Sequence, residues 1–317
     1  MAVPAASAAP PVAILTGPTG GGKTDVALRL AERFPIEIVS VDSAQVYRGL
    51  DIGSAKPSAE LRARVRHHLI DLVEPTQSYS AGQFVRDCIH AIDDIESRGR
   101  LPLLVGGTML YLRALVGGIA SLPEGSPEVR ARLDAEAAEQ GWSALHARLA
   151  TLDPAAAARI HPNDAQRIQR ALEVHATTGT AISQLQQRTA PALARVFRVI
   201  ALVPADRARL HAALEQRFNQ MMEAGLLEEV RALYRRGDLS AEHPAIRAVG
   251  YRQLWAHLAG SYPLDMAVAR AIAATRQLAK RQMTWLRSMT NIRALDPYDA
   301  QSFVGIRESL DGVFGRP

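Results

Sequence analysis

The sequence predicts an α/β protein, a parallel sheet flanked by helices and interrupted by an all-helical insertion. Three observations carry this. A glycine-rich loop, Gly17-Pro18-Thr19-Gly20-Gly21-Gly22-Lys23-Thr24, stands between an apolar strand candidate and an amphipathic helix. Further short apolar runs alternate with helical patterns in the first third of the chain. Strand signals then stop between Gly118 and Val196, where only helical periodicity remains.

The loop matches G-x-x-x-x-G-K-[ST] in full. Val12-Ala13-Ile14-Leu15 before it reads as a buried strand, and Asp25 to Glu32 after it has apolar residues at helical spacing. Strand, loop and helix in this order predict a P-loop NTPase-like sheet. The glycines let successive N–H groups turn inward on an anion, and the helix N-terminus adds partial positive charge. Lys23 would place a full charge on the terminal phosphate, and the Thr24 hydroxyl is placed to hold Mg²⁺. A glycine-rich turn that binds nothing is the plainer alternative. Such a loop cradles a pyrophosphate, which need not belong to a nucleotide.

The 317 residues suggest about two domains. The 48% hydrophobic content is enough for a sizeable core, and no apolar run approaches the ~20 residues of a membrane span. The boundaries drawn from pattern are a disordered tail at 1–11, a P-loop core at 12–118 and 190–317, and a helical insertion at 119–189. The tail is rich in Ala and Pro and lacks a basic start, unlike a signal peptide. One cysteine, Cys88, excludes an internal disulfide framework and a Cys-rich zinc site. It lies in an apolar-periodic stretch, so a packed core thiol in a reducing, cytoplasmic setting is expected.

The second strand candidate, Ile36 to Val41, ends at Asp42-Ser43-Ala44-Gln45. Ligands of open parallel sheets bind beyond the carboxyl ends of the strands, which places Asp42 beside the P-loop. A turn or cap aspartate is the alternative. Gly49 to Pro57 is a polar loop near the same edge. His67 and His68 are adjacent and have no carboxylate at metal-ligand spacing, so a metal role is not expected. An amphipathic helix at 81–98 leads to a third strand, Leu101 to Val105, ending in Gly106-Gly107-Thr108. A P-loop ATPase carries an acid for Mg²⁺ at such a strand end. Here a neutral hydroxyl follows two glycines that would admit a ligand against the backbone.

Ser126-Pro127 is a helix start, and helices are expected at about 127–140, 142–151 and 163–177. Strand character returns at Val196 to Val203. Asp206 then caps a long helix, with Arg217 in its middle as an apparent solvated arginine. In the last third, Asp265 is the only acid between His243 and Leu295, a span that also holds eight Arg or Lys residues. Arg276, Lys280 and Arg287 share one helical face, and Tyr251, Trp255 and Trp285 could stack on bases. The net charge of +5 and this one-signed face point to a nucleic acid.

Taken together, GPTGGGKT (17–24), VDSAQVYRGLDIGSAKP (41–57), LLVGGTMLYLRAL (103–115), HPNDAQRIQRALEV (161–174), EQRFNQMM (215–222), AIRAVGYRQLW (245–255) and TRQLAKRQMTWLR (275–287) resemble the tRNA dimethylallyltransferase family. They fall in order over nearly the whole chain. The resemblance implies transfer of a dimethylallyl group from dimethylallyl diphosphate to N6 of adenosine 37, 3′ of the anticodon in tRNA, with release of diphosphate. It implies Asp42 as the base and Thr108 as a hydrogen-bonding group at the reacting centre, with Lys23 and Arg217 on the leaving diphosphate beside the 17–24 loop and Mg²⁺ at Thr24. It overturns the bland reading of Arg217. The tRNA-binding set it implies is Asp42, Ser43, Ala44, Gln45, Thr108 and Arg130, then Gln166, Arg167, Ile168, Gln169 and Arg170 of the insertion. Arg247, Ala248, Val249, Gly250, Tyr251 and Arg252 follow, with Lys280, Arg281, Gln282, Met283, Thr284, Trp285, Leu286 and Arg287. The insertion is expected to act as a clamp on the anticodon stem-loop, and the protein as a monomer. Three rivals share parts of the pattern: a small-molecule P-loop kinase, an isopentenyltransferase acting on free AMP, and a non-enzymatic RNA-binding module. The first two leave the basic C-terminal third without a use, and the third leaves Asp42 and Thr108 unexplained.

Overall fold

β1 (Val12–Thr16) is buried along its whole length, as an apolar strand inside a parallel sheet covered on both faces must be. The computed structural model describes residues 11–118, 120, 122–187, 193 and 195–314, so the expected tail lies outside the described residues except for Pro11. After β1 come α1 (Lys23–Ala31), β2 (Ile36–Val41), α2 (Ala59–Arg64), β3 (His67–His68), α3 (Ala81–Ser97), β4 (Leu101–Gly106) and α4 (Met109–Gly117). A helical run follows: α5 (Pro127–Gln140), α6 (Trp142–Leu152), α7 (Pro154–Ala157), α8 (Ala165–Thr178) and α9 (Ile182–Gln187). β5 (Phe197–Leu202) returns to the sheet, and α10 (Arg207–Glu223), α11 (Leu226–Arg235), α12 (Tyr251–Leu258), α13 (Leu264–Ser288), β6 (Ile292–Leu295) and α14 (Ser302–Phe314) complete the chain.

The six strands form one parallel sheet in the order β3-β2-β4-β1-β5-β6. In register, Leu15 lies beside Val105 on one side and Ile200 on the other, and Val41 lies beside Gly106. β2, β4 and β1 therefore end side by side, and Asp42, Gly107 and the glycine-rich loop share one sheet edge. Ala13, Leu15, Ile38 and Leu103 pack with Ala27 and Leu30 of α1 and Ile306 and Leu310 of α14. The alternating residues Ile14, Val39 and Leu104 are buried on the other face, and α3 packs against β2 and β4. Cys88 of α3 is buried, and burial pushes its thiol up to about 12.

The chain divides into two compact units, Met1–Leu112 with Ala194–Pro317, and Arg113–Leu193. The second unit has its own core, in which Leu133, Leu145, Leu149, Ile168, Leu172 and Ile182 meet. Two strands are absent from the sequence-based expectation. β3 is only two histidines long, and β6 is an edge strand whose central Arg293 and Ala294 are exposed, so neither shows an apolar run. Among the described residues no helix is long and apolar enough to cross a membrane.

Candidate active site

The glycine-rich loop is held partly by the protein itself. Gly20 and Gly22 take φ of 74° and 76°, which glycine allows at little cost. A Cβ on Gly17 would lie 2.6 Å from the carbonyl oxygen of Leu202. The N–H of Gly21 donates to Pro18 O at 3.1 Å, and that of Thr19 to Gln282 Oε1 at 2.9 Å. The N–H groups of Lys23, Thr24 and Asp25 open α1 and have no intrahelical acceptor, so they remain for an anion. Lys23 Nζ donates to Gly17 O at 3.0 Å and Pro18 O at 2.8 Å. Burial lowers its pKa to about 8, opposed by nearby Asp42 and aided by nearby Arg217.

Asp42 serves as both a turn residue and a cleft residue. Its Oδ1 accepts the N–H of Ala44 at 2.8 Å and of Gln45 at 3.3 Å, an Asx turn that fixes the side chain. Oδ2 is left for other work, and both Asp42 and Thr108 line the cleft. Thr108 Oγ1 accepts the N–H of Ser43 at 3.0 Å, and its own N–H donates to Val41 O at 3.1 Å, so the ends of β2 and β4 are tied together. Gln45 takes the Ser40 hydroxyl on Oε1 at 2.8 Å and donates from Nε2 to the carbonyls of Ser54 and Ala55.

Arg217 of α10 is not the solvated arginine its helix position suggests. It lines the same cleft, of about 660 Å³, with Lys23, Thr24, Asp42 and Thr108. Burial lowers its pKa, against the attraction of Asp42 and Asp25. Two half-buried cations thus share with the carboxylates of Asp42 and Asp25 a cavity large enough for a diphosphate ester and a base.

Gln282 is a functional position whose role the sequence-based expectation misjudged. Expected at an RNA surface, it is buried, and it bridges the Thr19 N–H and the Gly107 carbonyl, the latter at 2.8 Å from Nε2. The signal was present: Gln282 shares a helix face with buried Ala279, Met283 and Leu286, and a polar residue in an apolar stripe marks a buried hydrogen bond. The two glycines line the cleft, and packing gives a second reason for them. A Cβ on Gly106 would meet Val41 O at 2.1 Å, and one on Gly107 would meet Gln282 Nε2 at 2.6 Å. Packing between strands and against α13 requires these glycines.

The nucleic-acid set divides by burial. Arg247, Arg252, Lys280, Arg281, Thr284 and Arg287 are exposed, while Arg247, Ala248, Val249, Arg281 and Trp285 line the cleft. Gly250 is the N-cap of α12, at a positive φ of 92°. Met283 and Leu286 are buried, because a contiguous helical stretch must turn some side chains to the core. Tyr251 and Trp255 are not stacking platforms. Tyr251 is wholly buried with its hydroxyl on Glu229, and Trp255 packs on Tyr234 at 4.8 Å between ring centroids. The basic face of α13 is not one-signed either, since Arg276 donates to Glu215 of α10 at 2.6 Å. In the helical unit, Gln166 and Arg167 are exposed, while Gln169 is half-buried and donates to Asp134. Ile168 is core, and Arg130 and Arg170 both hold the buried carboxylate of Glu173.

Among the described residues no group of three or more His, Cys, Asp or Glu is placed to cage a metal. The exposed Thr24 hydroxyl in the cleft suits Mg²⁺ in another way, since that ion keeps waters and substrate phosphates around one or two protein oxygens.

The IPP transferase family profile matches residues 45–289. The tRNA dimethylallyltransferase of Bordetella petrii is 54% identical over 293 residues, covering 92% of this chain and 93% of its own. The crystal structure of the full-length tRNA isopentenylpyrophosphate transferase of Bacillus halodurans superposes with a TM-score of 0.70 at 35% identity, over 96% of each chain. A eukaryotic dimethylallyltransferase, described as acting on tRNA, gives 0.81 at 27% identity, over 98% of this chain and 81% of its own. Five of the seven stretches that carried the resemblance lie wholly within the matched residues 45–289, and the protein belongs to the IPP transferase, or tRNA dimethylallyltransferase, family.

Proposed function

We propose that this chain transfers the dimethylallyl group of dimethylallyl diphosphate to N6 of the adenosine 3′ of the anticodon in tRNA, and releases diphosphate. The observation that carries the proposal is the cleft in which Asp42 faces Lys23 and Arg217. The cations and the helix N-terminus suit a departing diphosphate, and the carboxylate suits a proton acceptor at the other reacting atom. No acid follows β4, where an ATPase would need one, and Thr108 stands there instead.

An adenine amine is a weak nucleophile because its lone pair is delocalised into the ring. As N6 bonds to the allylic carbon, the carbon–oxygen bond breaks and its electron pair leaves with diphosphate. The N6 proton passes to Asp42, whose Oδ1 is already engaged by the turn and whose Oδ2 is the accepting atom. Thr108, fixed by Ser43, hydrogen-bonds at the reacting centre. Lys23, Arg217 and the first amides of α1 hold the leaving oxygens. Mg²⁺ bound by the Thr24 hydroxyl and the diphosphate would add positive charge to the leaving group.

The base lies in a folded anticodon loop and must be turned out to reach the cleft. Arg247, Arg252, Lys280, Arg281, Arg287 and Trp285 grip the loop by phosphate contacts and stacking, and exposed Gln166 and Arg167 of the helical unit add affinity. Labelled dimethylallyl diphosphate with Mg²⁺ should label tRNA, and Asp42→Ala should abolish the transfer. Label on AMP alone, or ATP turnover without transfer, would sink the proposal.

A further inference from the structure

The loop from Gly49 to Pro57 supplies no group to the transfer, yet it is pinned from two sides. Lys56 Nζ, buried, binds Tyr47 O at 2.9 Å and the carboxylates of Asp51 and Asp71 at 2.6 Å each. From the other side comes Glu229, in the first turn of α11. Its Oε2 accepts the N–H of Asp51 at 3.0 Å and of Ile52 at 2.7 Å, and its Oε1 accepts the N–H of Gly53 at 3.2 Å and the Tyr251 hydroxyl at 2.5 Å. Three successive amides aimed at one point form an anion-binding concavity. The protein fills it with its own carboxylate, through charge-assisted bonds of the stronger kind. Gly53 is part of the fit, because a Cβ there would lie 2.6 Å from the Tyr251 ring.

The next two residues carry this constraint into the cleft. The carbonyls of Ser54 and Ala55 accept Gln45 Nε2 at 3.3 and 3.2 Å, and Gln45, Ser54 and Ala55 line the cleft. Gln45 lies in the turn that Asp42 Oδ1 closes. A continuous set of contacts therefore runs from Glu229 through amides 51–53 and carbonyls 54–55 to Gln45 and, through its N–H, to the turn oxygen Oδ1 of Asp42. The glycine-rich loop lies outside this set.

We infer that Glu229 is a positioning residue for the acceptor side of the cleft, setting Gln45 and the Asp42 turn against the incoming base. The inference rests on the transfer reading above and names a residue through which that site reads its nucleic acid. Because the constraint bypasses the phosphate loop, its loss should act on one substrate and spare the other.

The test uses the full-length protein and two variants, Glu229→Gln and the milder Tyr251→Phe, which removes one of the four donors. Amide hydrogen exchange at residues 51–53 reads the concavity without any need for turnover. Steady-state transfer reads kcat/KM for tRNA against KM for dimethylallyl diphosphate, and the wild-type rate on tRNA is the separate control for the transfer reading. Expected in Glu229→Gln are faster exchange at 51–53, a fall of about tenfold in kcat/KM for tRNA, and a diphosphate KM within about twofold of wild type. Tyr251→Phe should move the same way by less. Adding Gln45→Ala to Glu229→Gln should cost no more than Gln45→Ala alone. Unchanged exchange, an equal loss for both substrates, or full additivity with Gln45→Ala would each overturn the inference.

Discussion

The carboxamide of Gln282 accepts the N–H of Thr19 at 2.9 Å, so helix α13 is fastened to the phosphate loop across 263 residues of sequence. The other end of the same amide donates to Gly107 O at the tip of β4. A neutral amide is the side chain that can accept from one backbone group and donate to the other. Gln282→Leu keeps the bulk and leaves both groups unpaired, at about 1–3 kcal/mol for each buried group. The expected result is a lowered urea midpoint together with a rise of about tenfold in KM for dimethylallyl diphosphate. Gln282→Glu keeps an acceptor for Thr19 but sets a carboxylate oxygen against Gly107 O, so it should lose stability while holding KM closer to wild type. An unchanged KM in both variants would show that the loop keeps its shape without the amide.

Lys23 gives the cleft a pH limit. Burial lowers its pKa from 10.5 to about 8 in the free protein, and a bound diphosphate would raise it again by charge attraction. Binding therefore takes up a proton above about pH 8. Pyrophosphate affinity should hold steady below that value and fall by up to about tenfold per pH unit above it. Titration calorimetry between pH 7 and 9.5 measures this directly. Lys23→Arg, charged throughout, should remove the slope even if it binds more weakly overall.

Much of this was legible in the sequence, and what was missed has physical causes. Val12–Thr16, Ile36–Val41 and Leu101–Gly106 are largely buried on both faces, so they read as short apolar runs, interrupted in the second only by Glu37 and Ser40. Their carboxyl ends then place Asp42 and Thr108 at one edge by topology alone. The two edge strands are short or polar and carry no such signal. The functional stretches were legible as segments but not as individual side chains. Within 280–287 the helix sends Lys280 and Arg287 outward and Met283 and Leu286 inward, and Gln282 sideways to the loop. The partners of Tyr251 and Arg276 lie on other helices, far away in sequence, and no local pattern could name Glu229 or Glu215.

Gly106 tests the claim that strand packing is what requires glycine here. A Cβ would sit 2.1 Å from the carbonyl oxygen of Val41, an atom of a paired strand that has no freedom to move aside. Gly106→Ala should destabilise by about 3 kcal/mol or more, or fail to give soluble protein. Gly22→Ala makes the contrast, since open space surrounds that position and only its φ of 76° opposes the change, at about 1–2 kcal/mol. Urea unfolding of the two variants ranks them, and a Gly106→Ala protein as stable as wild type would refute the packing account.

Glu37 adds an acid limb to stability. It is buried in β2, and its carboxylate is hydrogen-bonded to Arg98 and to His68 Nε2, the latter at 2.7 Å. The Arg98 hydrogen bonds, more than the His68 contact, hold its pKa near 2 against an ordinary 4.5. A depressed carboxylate pKa stabilises the fold above the unfolded value, and that contribution is lost as pH falls from 4.5 towards 2. Glu37→Gln should therefore be less stable than wild type by about 2 kcal/mol at pH 7. The gap should narrow through that window, as urea unfolding at pH 7 and pH 3 would show. A gap that stayed constant with pH would assign the loss to packing instead of charge.

The basic face of α13 makes opposite predictions for two neighbouring changes. Lys280 is exposed, whereas Arg276 is held by Glu215 at 2.6 Å. If this face meets tRNA phosphates, Lys280→Ala removes one contact and should make the slope of log K against log salt shallower by roughly 0.7, the single-strand value per phosphate. Glu215→Gln does the reverse, because it releases Arg276 from a carboxylate that competes with phosphate. It should tighten tRNA binding and steepen the slope by a similar amount. Both charges of the Arg276–Glu215 pair are partly exposed, so little stability rides on the pair itself, and unfolding should shift by less than about 1 kcal/mol. Filter binding of tRNA from 50 to 300 mM salt, a range of about sixfold, resolves slope changes of this size. Glu215→Gln binding with wild-type affinity and slope would place Arg276 away from the RNA and confine the electrostatic contact to the Lys280–Arg287 end of the helix.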